Sequence, residues 1–188
     1  MTTDELYAKL SYVTHSRENR RMYANLVISN PAMFPKLLNI LFMVDDEVSC
    51  RAAWVLEFLC GEKCDAIIPY LDVFTEHINK VHLDPAVRPV AKICEYLVTA
   101  YYSKEKNLIQ DSLTHEHQEK IVEACFDWLI NDEKVAPKAY AMHTLFLLGK
   151  DFDWIHPELK LILERDFQMQ SSAFKARARH ILKKIKRG

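Results

Sequence analysis

Two thiols stand four residues apart in Cys60-Gly-Glu-Lys-Cys64, a C-x3-C spacing that could contribute to a zinc site. A zinc site needs four ligands, and no second cysteine pair follows at a suitable distance, so the spacing predicts two structural thiols near a helix end. His115 and His117 flank Glu116 near Glu119, while His77 and His82 are five apart. Neither pair has the i, i+4 geometry that puts two imidazoles on one helix face, so surface histidines are expected. Nucleophile signatures are missing: the chain contains no G-x-S-x-G, no Cys/His signature and no H-E-x-x-H. No G-x-G-x-x-G or G-x-x-x-x-G-K-[ST] phosphate loop occurs either. The expectation is no catalytic set, no cofactor and no metal.

The elements that would carry any site are helices. The chain of 188 residues is 49% apolar and 27% charged, within the range of a globular domain, yet has only three glycines. Sheet sandwiches and nucleotide folds spend more glycine on tight turns. Net charge is −1, so charge must be read locally. The opening Met1-Thr-Thr-Asp-Glu5 lacks a basic and apolar leader, and no apolar run is long enough to span a bilayer. Five scattered cysteines suit a reduced, cytoplasmic protein without a membrane partner.

Apolar residues recur at three- and four-residue spacing throughout. They predict an all-α chain of ten helices over 3–14, 16–29, 31–43, 46–60, 65–81, 85–102, 115–131, 133–149, 154–169 and 172–186. Asn30-Pro31, Asp84-Pro85 and His156-Pro157 read as N-cap and N1 pairs, and Asp45, Asp65, Thr114 and Ser171 as further caps. Gly61 and Gly149 read as stop signals.

A repeat underlies the helices. Ser49-Cys-Arg-Ala-Ala53, Val87-Arg-Pro-Val-Ala91, Pro137-Lys-Ala-Tyr-Ala141 and Phe174-Lys-Ala-Arg-Ala178 each end in alanine, with a weaker copy at Arg20-Arg-Met-Tyr-Ala24. Each alanine falls in the second helix of a pair, where a small side chain lets helices approach closely. The pattern resembles the HEAT and armadillo-like α-solenoids, best at Val87, Arg88 and Ala91, with lysine for arginine at Lys138 and Lys175. The resemblance implies a single domain over 1–188, a right-handed α-α superhelix of about five HEAT-like helix pairs. The long step from Ala91 to Ala141 implies an insertion near 102–113.

In such a solenoid the second helices line the concave face. Stripes beside the alanines then nominate a binding surface of Arg21, Trp54, Glu57, Arg88, Lys92, Glu95, Lys138, Met142, Lys175 and Arg179. Trp54, Met142 and the other aromatics would anchor a protein or peptide, and the charges would form its rim. Binding of a protein or peptide is therefore the first functional expectation. Nucleic acid is the alternative partner, because fold class and size also resemble the HEAT-like alkylpurine DNA glycosylases; Trp54 lies on the stripe with Asp45, Asp46 and Glu57 near it. The basic residues gather in the last helix, at Lys175, Arg177, Arg179, Lys183, Lys184, Lys186 and Arg187. There they suit a solubilising cap on the stack as well as a phosphate-reading surface. Leu148-Gly-Lys-Asp-Phe-Asp-Trp-Ile-His-Pro-Glu-Leu-Lys160 is similar to a small bacterial group labelled adenylosuccinate lyase, which implies a lyase as a third reading. Those lyases carry a Ser-Ser-x-Met-Pro-x-Lys-x-Asn loop. Ser171-Ser172-Ala-Phe-Lys175 supplies the serines but neither the Met-Pro nor the Lys-x-Asn, and the chain is less than half their length.

Overall fold

The computed structural model describes residues 1–186, so Arg187 of the basic cluster and Gly188 lie outside the described residues. Eleven α-helices follow one another: α1 (Thr3–Leu10), α2 (Arg17–Ser29), α3 (Phe34–Leu41), α4 (Glu47–Glu62), α5 (Leu71–His77), α6 (Asp84–Tyr101), α7 (Leu108–Ser112), α8 (His115–Ile130), α9 (Val135–Leu148), α10 (Ile155–Asp166) and α11 (Ser172–Ile185). Short 3-10 turns extend α3, α5 and α10, and no strand occurs among the described residues. The chain is all-α, as its periodicity predicts. No described helix is long and apolar enough to cross a membrane.

Packing follows chain order. Helix α2 lies on α4, α4 on α6, α6 on α9, and α9 on α11; α3 packs against α4, and α8 and α10 pack against α9. Ala24, Ala53, Ala91, Ala141 and Ala178 are each fully buried in the row. A methyl group leaves space for the neighbouring backbone that a larger side chain would fill. Ala91→Leu is therefore expected to overpack the contacts of α6 and cost about 1–3 kcal/mol. Urea denaturation reads this directly; a variant as stable as the parent would mean that α6 does not pack through Ala91.

Several caps differ from expectation, and at Asp84 and His156 a partner outside the helix takes the side chain. Asp46, not Asp45, caps α4, accepting from Val48 N at 2.8 Å. Asp84 lies inside α6, where it holds Lys134 at 2.6 Å and leaves Leu83 at the cap. His156 lies inside α10, and Asn30 and Asp65 make no side-chain cap bond. Thr114 and Ser171 do cap α8 and α11. The segment expected as an insertion contains α7, a helix of only five residues. Asn107 and Gln110 order it: their side-chain amides donate to Ala100 O at 2.8 Å and Ser103 O at 2.8 Å, taking up carbonyls at and just beyond the end of α6.

Neither Gly61 nor Gly149 has positive φ. Gly61 sits within the last turn of α4 rather than after it. Gly149 does follow α9, but a close approach explains its residue type: a Cβ there would stand 2.1 Å from the His156 ring.

Candidate functional site

The exposed face of α2, α4 and α6 carries a chain of ion pairs. Arg21 donates to Glu62 at 3.1 Å, joining α2 to α4. Arg88 of α6 grips Glu57 of α4 with both arms of its guanidinium, at 2.9 and 2.7 Å. Such a fork is directional, so it fixes the register of α6 against α4 as well as cancelling charge. Burial alone would lower the Arg88 pKa, but the bonds and charge of Glu57 outweigh it and raise the value. Trp54 is half-buried, and its indole N–H donates to Pro85 O at 2.8 Å, tying α4 to the first turn of α6.

Further along, Glu95 is the most buried carboxylate on this face, 8% exposed. It accepts from Lys92 at 2.6 Å and bonds His143 Nδ1 of α9 at 2.8 Å. Burial pushes the Glu95 carboxyl up, but these two partners more than offset it and hold the pKa below the ordinary value. The Lys92 ammonium also lies 4.9 Å from the Tyr96 ring centroid and 4.6 Å from that of Tyr140.

Two clefts open here. One, of about 360 Å³, is bounded by His15, Arg20, Trp54, Asp84, Pro85, Arg88, Lys134, Ala136 and Pro137. The other, of about 370 Å³, is bounded by Arg17, Arg20, Arg21, Glu57, Phe58, Gly61, Glu62, Arg88 and Tyr96. Arg20 and Arg88 line both, so the two clefts adjoin at those side chains. Arg21, Trp54, Glu57 and Arg88 of the nominated surface come together around them, with Lys92 and Glu95 adjoining on α6.

Lys138 and Met142 do not belong to this surface. Lys138 is 5% exposed and Met142 fully buried, because α9 is covered by α6, α8, α10 and α11 at once. Lys175 is half-buried and Arg179 exposed on α11, where Arg179 lies 5.2 Å from the Phe167 ring. The cations of α11 form no ion pair among the described residues. Sequence reading missed Arg17, Arg20 and Phe58, which the alanine register does not select. Arg17, Arg20 and Arg21 at three- and four-residue spacing on one helix face were the available signal.

The other candidates are separately occupied. His117 is buried rather than on the surface as expected, and meets Asp72 at 2.6 Å; His82 meets Asp45 at 3.3 Å, and His77 Nδ1 meets Val73 O at 2.9 Å. No cluster of three metal-ligating side chains occurs among the described residues. Ser171 uses its hydroxyl to cap α11. Cys60, Cys94 and Cys125 are buried, and burial pushes their thiol pKa values upward; Cys64 is pushed up to about 11. Protonated thiols are poor ligands and poor nucleophiles.

Comparison with family models, curated proteins and solved structures finds no match to this chain.

Proposed function

We propose that the chain is a HEAT-like repeat module whose helix pairs stack as an α-α superhelix and whose exposed face on α2, α4 and α6 binds a protein or peptide. The buried alanines at equivalent places in successive helices support the repeat reading. Charge balance carries the choice of partner. Along this face Arg21, Arg88, Lys92 and Lys134 are each neutralised by a carboxylate, respectively Glu62, Glu57, Glu95 and Asp84, which leaves Arg17 and Arg20 as a local pair of cations without a carboxylate rather than part of a continuous row. A nucleic-acid backbone requires a row of uncompensated cations; a patchwork of pairs with an indole and tyrosine rings between them suits a polypeptide.

A salt titration with a labelled duplex oligonucleotide tests this. Weak binding with a shallow dependence on salt is expected, with a logarithmic slope of about 1 or less. A steep slope that disappears in Arg88→Glu would overturn the reading in favour of nucleic acid.

One observation favours the nucleic-acid alternative elsewhere, the unpaired cations of α11. Under that alternative, Lys175→Glu/Arg179→Glu/Lys183→Glu would lower duplex affinity and flatten its salt slope by about one for each phosphate no longer neutralised. With α11 acting only as the polar end of the stack, the triple change leaves partner binding unaltered.

A further inference from the structure

The cleft between α2 and α4 holds four guanidinium groups and two carboxylates, and both carboxylates are already engaged. Glu62 takes Arg21, and Glu57 takes both arms of Arg88. Arg17 and Arg20 have no carboxylate within ion-pair distance, and neither guanidinium donates a hydrogen bond to the protein among the described residues. Both instead lie over one ring, at 5.6 and 4.7 Å from the Phe58 centroid. Arg20 Nε is sealed from solvent with no acceptor. Burial lowers the Arg20 pKa; Glu57 offsets this in part, and the charges of Arg88 and Arg17 add to it. Two like charges held against one aromatic ring, one of them with a covered and unpaired donor, are an arrangement that an incoming anion would stabilise.

We propose that Arg17 and Arg20, seated on Phe58, receive the carboxylate of an acidic residue in a peptide segment of a protein partner. This inference rests on the peptide-binding reading above and names the chemistry of the peptide. The adjoining cleft shares Arg20 and Arg88 and is walled by Trp54, Pro85, Ala136 and Pro137. An acidic residue at the arginines therefore brings an apolar residue of the same segment against Trp54. The seat takes one anion or two adjacent ones, because the next cations along the face, Lys92 and Lys134, already have partners. A polyphosphate strand would leave most of its charge unmatched.

Panning the full chain against a phage library of random dodecapeptides tests both levels. Enriched peptides are expected to place Asp or Glu beside an aromatic or aliphatic residue. Binding of the synthetic peptides should fall about tenfold in Arg20→Gln and less in Arg17→Gln, and Lys104→Gln in the exposed loop should change nothing. Melting curves of Arg20→Gln and Arg17→Gln check folding; Arg17, exposed in the first turn of α2, keeps the test valid should Arg20→Gln unfold the chain. Enriched peptides without acidic residues, or acidic ones that bind both variants as tightly as the parent, would overturn the seat and leave peptide binding standing. No enriched peptide at all would overturn the peptide-binding reading and the seat with it. Displacement of the peptide by an equimolar duplex oligonucleotide would also overturn the seat, assigning the arginines to phosphate.

Discussion

Glu95→Ala is expected to destabilise the fold by about 2–4 kcal/mol, a little under the ~3–5 kcal/mol for removing one partner of a fully buried ion pair, because Lys92 and His143 keep some contact with water. The carboxylate serves two donors from two helices, Lys92 of α6 and His143 of α9, so its loss leaves an ammonium and an imidazole facing each other without an anion. Glu95→Gln keeps the shape and one acceptor, and should cost less. The same group gives the stability a pH signature. Its folded pKa is depressed, so its contribution is fully present above its ordinary value of 4.5 and is lost as pH falls through the lower folded value. Urea midpoints measured across the acid range should therefore decline less steeply in Glu95→Gln than in the parent. Parallel declines would show that Glu95 gains nothing from its partners.

Gly149→Ala should destabilise by about 2–3 kcal/mol, although local reasoning gives the opposite sign. At φ −62° and ψ −1° the residue is in ordinary helical space, where alanine normally adds about 0.4–1 kcal/mol of stability. The obstacle is packing. His156 donates Nε2–H to Phe146 O at 2.8 Å, and its ring stacks on that of Phe146 at 5.4 Å. A methyl group at residue 149 would occupy the space of the imidazole, which would have to abandon both interactions. Thermal melts of Gly149→Ala, His156→Ala and the double variant decide the matter. If the clash is the cause, His156→Ala absorbs most of the glycine's effect; additive losses, or a stabilised Gly149→Ala, would refute it.

The positions of the helices were legible because the chain buries one stripe of nearly every helix, and that stripe imposes its period on the sequence. The buried alanines were legible for the same reason. What failed were readings that need the neighbour's identity. Asp84 and His156 have the residue types of caps, but Lys134 and Phe146 O draw them into their helices. Helix α7 is too short to show a period, and two side-chain amides stabilise it from outside the apolar pattern. Met142 was assigned to the surface by analogy with Trp54 and Lys92, which occupy the same register. Yet Val135–Leu148 is apolar around most of its circumference, the mark of a helix covered on every side. Arg20 could be seen in sequence only as one basic residue among three; that it lacks a counter-ion is a property of the folded face.

The cysteines have a consequence for how the molecule opens. Cys60 of α4, Cys94 of α6 and Cys125 of α8 are buried in three helices of one core, and their raised pKa values keep them protonated in place. An alkylating reagent reaches them only when the surrounding helices part, so the labelling rate of each thiol, compared with that of an unfolded peptide, measures the population of the opened state at that point. Cys64, partly exposed at the edge of the same core, reports the smallest excursions. With Cys50, also buried in α4, the chain thus carries five natural probes from which a map of local unfolding can be drawn without introducing a new residue.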